Sequence, residues 1–298
     1  MKKSFNLLKE KIALPRKILL LTTVLFFQIS TFSSLSLFAV ADETNKNKNI
    51  TRIAIIIDDI GYSFERGKQA AKLPGAVTLA IIPHTTNSVS LANLGHELNK
   101  EIMLHIPMSN LLNKPLDEGA LTYGMGYFLF LDTLRQDLKA VPHVRGVNNH
   151  MGSLLTQQEA PMRWLMEELS VKELFFIDSR TSSESIAWQM AQKAHIPSAK
   201  RDYFLDNDRD YISIARQFGK FISTAQKRGT GVAIAHPYPE TLHFLEQTIP
   251  KLKALNIHLV PVSSLLSSFD NILQKRTSRL KPSNDEGFDY FSPYFLRK

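Results

Sequence analysis

The chain of 298 residues is long enough for one large α/β domain or two small ones, and its 44% hydrophobic content is that of an ordinary globular protein. It holds no cysteine, which excludes disulfides and thiolate metal sites, so any metal must be bound through nitrogen and oxygen. A formal net charge of +8 invites a nucleic-acid partner, but the segment to Ala41 carries six of the 36 basic and one of the 28 acidic residues; the remainder, 30 basic against 27 acidic, stands at +3 and argues for no nucleic acid.

That first segment reads as an export signal. Lys2, Lys3, Lys9, Lys11, Arg16 and Lys17 precede an apolar run from Ile18 that closes on Ala39-Val40-Ala41. Cleavage near Ala41 is expected, which would release a periplasmic protein of the Gram-negative type. An uncleaved anchor is the alternative and the one route to the membrane, because the run is long enough to span a bilayer. Residues 42–51 read as a polar linker, 52–270 as the folded domain, and 271–298 as a flexible, aperiodic tail.

Within the domain, short apolar runs recur at Ile53 to Ile57, Val77 to Ile82, Ile102 to Ile106, Val144 to Val147, Leu174 to Ile177, around Ala199, Val232 to Ala235 and Ile257 to Val260. Helical patterns lie between most of them. Phe64 to Leu73 and Ser88 to Leu98 have helix-forming composition, Thr156 with Glu159 resembles a capping box, and Tyr211 to Arg228 puts Ile214, Phe218, Phe221, Ile222 and Ala225 on one stripe before the stop at Gly229. Strands alternating with helices predict parallel β/α units whose sheet is covered on both faces. About eight units predict an α/β fold of the distorted (β/α)7-8 barrel kind. Residues 109 to 131 predict a long loop over the mouth of that barrel.

The polar residues at the predicted strand ends are Asp58 and Asp59, His84, His105, Asn149 and His150, Asp178, Arg201 and Asp202, and His236. In parallel α/β folds the carboxyl ends of strands gather on one face and carry the chemistry. Histidines and carboxylates collected there without cysteine form the ligand set for zinc or a similar divalent ion. Each residue has a plainer alternative. Neighbours in a strand point to opposite sides, so Asp58 and Asp59 are expected to do different work. His105, in "IMLHIPM", is compatible with a satisfied core histidine; His84 and His236 with surface residues; Asp178 with a salt bridge to Arg180 or a helix cap. The cluster "NNHMGS" around His150 is too polar to be buried without purpose. His96, His143, His195, His243 and His258 are read as structural.

Taken in order, "IIIDDIG", "LHIPM", "NNHMGS", "FFIDSRT", "RDYFLD" and "AHPYPET" resemble the divergent polysaccharide deacetylase family, an offshoot of the NodB-like carbohydrate deacetylases, from about Arg52 to Leu266. The resemblance implies a distorted barrel of the glycoside hydrolase–deacetylase type, a divalent metal with zinc as the expected ion, and removal of N- or O-acetyl groups from a polysaccharide or peptidoglycan-type glycan. It implies that Asp59, His105 and His150 bind metal, that Asp58 is the general base and His236 the general acid, and that Asp178, Arg180 and Asp202 shape the site, Asp178 being grouped with the catalytic residues. One departure stands out: the better-characterised deacetylases take two histidines from one H-x-x-x-H segment, and this chain has none, so its ligands must come from separate strands. Backbone amides near Gly61 or Gly152 are candidates for the oxyanion. Two other classes fit the same residues: a catalytically inactive glycan-binding or envelope scaffold protein, and a metallohydrolase acting on another bond.

Overall fold

Ile53, Ile55 and Ile57 alternate with Ala54 and Ile56 along β1 (Thr51–Ile60), and all five are fully buried because they pack into two different cores. The computed structural model describes residues 50–266; the signal segment, the linker up to Asn49, and the tail lie outside the described residues. Thr51, assigned to the linker by sequence, is the first residue of β1. Among the described residues no helix is long and apolar enough to cross a membrane.

Eight more strands follow among the described residues: β2 (Thr78–Ile81), β3 (Glu101–Met108), β4 (Val144–Met151), β5 (Phe175–Asp178), β6 (Ser198–Lys200), β7 (Tyr203–Phe204), β8 (Thr230–Ala235) and β9 (Ile257–Leu259). Every pairing is parallel, in the order β6-β5-β4-β3-β2-β1-β8-β7. The two ends of this series are joined by only Arg201 and Asp202, whose amides reach Asp178 O on β5 and Val232 O on β8 at 2.9 and 2.8 Å. One extended segment thus passes from β5 to β8 and curls the sheet into a distorted barrel. β9 is not a stave of it. It pairs with Thr51 to Ile53 at the start of β1, while β2 takes up pairing from Ile56 onward.

Among the described residues seven helices cover the outside: α1 (Phe64–Lys72), α2 (Ser88–Glu97), α3 (Tyr127–Ala140), α4 (Glu159–Val171), α5 (Ala187–Lys193), α6 (Tyr211–Arg228) and α7 (Pro239–Thr248). Leu91, Leu134, Leu165 and Phe221 from these helices pack on the outward residues of the strands, among them Ile55, Leu104 and Phe176. The inward residues form a second core of Ala54, Ile56, Ala80, Met103, Phe175, Ile177, Val232 and Ile234, closed at the amino-terminal end of the strands by Val262 and Leu266. Each buried isoleucine contributes about 1.5–3 kcal/mol over an exposed one, so the alternation on β1 fixes which residues can face the barrel mouth.

Two local expectations are corrected, and the helix expected from Tyr211 to Arg228 is found with its stop at Gly229. Thr156 does not cap a helix. It lies in a 3₁₀ turn (Leu155–Gln157), and its hydroxyl and amide are both spent on the carbonyl of Gly152 at 2.8 and 3.0 Å, so α4 begins after Gln158 with no side-chain cap. The loop after β3 ends at Gly126 because α3 starts at Tyr127, earlier than its exposed apolar residues suggest. Asp210 caps α6 by accepting from the amides of Ile212 and Ser213, and Gly229 ends that helix at φ 83°, a conformation that costs glycine nothing.

Candidate metal centre

Above the inner core the inward positions turn polar. His105 follows Met103 on β3, Asn148 and His150 sit opposite His105 and Pro107 on β4, Ser179 follows Ile177, and His236 follows Ile234. All of them lie in, or just past, the carboxyl-terminal halves of their strands. β1 adds a bulge: Ile57 pairs with Leu79 and Ile60 with Ile81, so β1 carries one residue more than β2 between these points. Asp59 is the residue that absorbs it, at φ 57°. Ordinary alternation is thereby suspended, and Asp58 and Asp59 both reach the mouth.

Asp59 Oδ1 lies 2.9 Å from His150 Nδ1 and 3.3 Å from His105 Nε2, and these two nitrogens are 3.2 Å apart. Three electron-pair donors face one another across a triangle with edges close to the ligand spacing of about 3.3 Å that follows from tetrahedral zinc with bonds of about 2.0–2.1 Å. Asp59 Oδ1 is buried and no N–H is directed at it, so its charge lacks a hydrogen-bond donor. The donor set of one carboxylate and two imidazoles therefore fits a divalent cation. Burial works to raise the pKa of Asp59, but His105 and His150 in their protonated forms outweigh it and hold the carboxyl well below its usual range.

Asn148 decides which nitrogen of His105 is free. Its amide donates to Asp58 Oδ1 at 2.8 Å and to Ser179 Oγ at 3.3 Å, which turns its carbonyl oxygen to His105 Nδ1, also at 2.8 Å. His105 must donate from Nδ1 and present Nε2 to Asp59, an outer-shell arrangement that orients a metal-binding imidazole. Asp58 itself is fully enclosed, and burial raises its pKa despite the opposing charge of His105.

His236 completes the arrangement. Its Nδ1 is 2.9 Å from Asp206 Oδ1, and Asp206 Oδ2 accepts from the His236 amide at 2.7 Å and from Thr241 Oγ1 at 3.0 Å. Burial pushes the imidazole pKa down, but Asp206 more than offsets it and the value rises to about 9. Nε2, the other nitrogen, points toward the site, 3.9 Å from Asp59 Oδ2. The ring is flanked by Phe204, itself covered by the Arg201 guanidinium 3.7 Å from its centroid.

The structure thus brings together Asp58, Asp59, His105, His150 and His236. Asp178 is not among them. It follows inward Ile177 and faces outward, accepting from Ser185 Oγ at 2.8 Å and from the Trp188 amide at 3.3 Å, which tethers the start of α5. Arg180 bonds Ser183 O, and Asp202 bonds Arg228 and the amide of Val232 at the barrel seam. Arg201 holds Ser179 O and Arg180 O. His84 faces Asp137 at 2.8 Å, and Asn149 is spent on Met151 O and the Ser179 amide. Gly152 gives its amide to Met108 O, so that amide is not free for an oxyanion. Asn148, Ser179 and Asp206 went unselected by sequence; Asp206 stands directly after "YFL", a strand exit too short to be recognised by its pattern.

A sequence model of the family described as divergent polysaccharide deacetylase matches residues 55–266. The chain is 33% identical over 216 residues to the uncharacterized protein YibQ of Escherichia coli (strain K12), covering 72% of this chain and 67% of that protein. It is 31% identical over 236 residues to an uncharacterized protein of Haemophilus influenzae, covering 79% of this chain and 84% of the relative. The crystal structure of an uncharacterized protein from Agrobacterium tumefaciens C58 superposes with a TM-score of 0.69 at 22% identity, over 72% of this chain and 89% of that one, a likeness of fold.

Proposed function

Because the chain belongs to the divergent polysaccharide deacetylase family, we propose that it is a metal-dependent hydrolase that removes acetyl groups from a cell-envelope glycan of peptidoglycan type, acting in the periplasm once its signal segment is cleaved near Ala41. The observation that carries this reading is the meeting of Asp59, His105 and His150, from three strands, between an enclosed carboxylate and a charged histidine.

Asp59, His105 and His150 would hold the metal, with zinc favoured by the one-carboxylate, two-imidazole set. Such an ion supplies Lewis-acid polarisation of the acetyl carbonyl and acidifies water. Asp58 accepts the proton of the attacking water; its burial raises its basicity, and Asn148 fixes its carboxylate. His236 is protonated at neutral pH and delivers the Nε2 proton to the leaving nitrogen or oxygen as its bond to the carbonyl carbon breaks, releasing acetate. Asp206 keeps Nδ1 protonated and Nε2 aimed inward. A cavity of about 120 Å³ lined by Asp59, Tyr62, Ser63, Arg66, Pro237 and Tyr238 opens beside the site, giving an acetyl-bearing sugar room to approach.

The test is acetate release from acetylated chito-oligosaccharides and from peptidoglycan by the zinc-loaded protein. Release abolished by Asp58→Asn supports the proposal. Bound zinc with glycan retention but no acetate would instead support a binding protein.

A further inference from the structure

The long segment after β3 is a built element rather than a slack connection. Its return arm pairs with the end of β3: the Leu121 amide donates to Pro107 O at 2.9 Å and Leu121 O accepts from the Ser109 amide at 3.1 Å. Asn110 folds the outgoing arm by accepting from the amides of Leu112 and Lys114 at 3.1 and 2.9 Å. Gly119, at φ 82°, lies directly against the side chains of Asp137 and His84, so closely that a Cβ would collide with both.

These contacts fix the position of Asp117, a carboxylate used by none of the chemistry above. Its Oδ2 accepts from the Tyr62 hydroxyl at 2.8 Å and stands 3.6 Å from His150 Nε2. Burial and then Asp117 raise the pKa of Tyr62, so the hydroxyl stays a donor. The geometry is asymmetric in an informative way. Nδ1 of His150 faces Asp59 and His105, whereas Asp117 faces the far nitrogen, so Asp117 is not placed to be a ligand. At 3.6 Å it is short of a hydrogen bond but within reach of one after a small ring rotation.

We propose that Asp117 is the positioning residue for His150: it takes the Nε2–H, commits the ring to coordinate through Nδ1, and so ties the 109–126 loop to the metal centre, with Tyr62 holding the carboxylate in place. This rests on the metal-binding reading of Asp59, His105 and His150. His150 then has an outer-shell acceptor, as His105 has one in Asn148, and the two imidazoles bind through different ring nitrogens.

The test is calorimetric zinc titration of the metal-free purified chain, with the thermal midpoint of each metal-free variant as the structural readout. Asp117→Asn is expected to weaken zinc binding by about 10- to 100-fold, the usual cost of losing such a partner. Tyr62→Phe is expected to weaken it less, and both midpoints should stay near that of the parent. Long-range ¹H–¹⁵N spectra of the zinc form should show His150 protonated at Nε2. Parental affinity in Asp117→Asn, or His150 protonated at Nδ1, overturns the inference while leaving the metal site standing. A drop in affinity matched by collapse of the metal-free midpoint in both variants overturns it in favour of a purely structural loop contact. A parent chain that takes up no zinc overturns the underlying reading and this inference with it.

Discussion

Asp58 and Asp59 face the same mouth of the barrel because β1 runs one residue longer than β2 between Ile57 and Ile60, and Asp59 takes the left-handed conformation that accommodates the extra residue. Without the bulge, alternation would send Asp59 outward into the layer that Ile57 and Ile60 occupy. The cost of a left-handed aspartate, about 1–2 kcal/mol, is accepted at the point where a second carboxylate is needed beside two imidazoles.

Asp58→Asn is therefore predicted to separate chemistry from metal binding. Zinc content should stay at the parental level, because Asp59, His105 and His150 are untouched, while acetate release should fall by about 10²- to 10⁴-fold for loss of a general base. Parallel zinc analysis and acetate assay check this; a variant retaining parental turnover would remove Asp58 from the base role.

The alkaline side of the pH–rate profile should report His236. A general acid works while protonated, so activity should fall as pH rises through about 9. In Asp206→Asn the main influence raising this pKa is lost, leaving only the smaller pull of Asp59 and Asp58 against burial, which lowers it. The alkaline limb is predicted to move down by about one to three pH units. An unmoved limb would show that another group donates the proton.

Gly119→Ala should destabilise the fold even though the residue lies on a loop. The new methyl would occupy a left-handed position and press on Asp137, which is buried and paired with His84. A loss of about 2–3 kcal/mol is expected, seen as a fall of roughly 5–10 °C in the thermal midpoint. A midpoint equal to the parent's would mean the loop does not rest there.

Much of this was readable in the sequence because strands and helices alternate with little ambiguity: Ile53 to Ile57 and Val232 to Ala235 are strands buried on both faces, and the stripe from Ile214 to Ala225 is a helix packed on one side. His105, His150 and His236 could be picked out for the same reason, each following such a run. What stayed hidden depends on geometry that spacing does not encode. The bulge overrides the expected opposition of Asp58 and Asp59. Asn148 is inward only because His150 is, two residues later. Helix α3 was masked because Phe128 and Leu129 face solvent at its start and Gly126 offers no side-chain cap. Asp117 follows no apolar strand run that would mark it, and only the packing of its loop brings it to His150.

Elemental analysis of the purified chain after zinc loading and desalting tests the central claim most directly. One equivalent of zinc per parent chain, and loss of it in Asp59→Ala, His105→Ala and His150→Ala with each variant still folded, is the predicted result. Stoichiometric zinc retained in any folded member of that set, or none in the parent, would contradict a metal held by these three side chains.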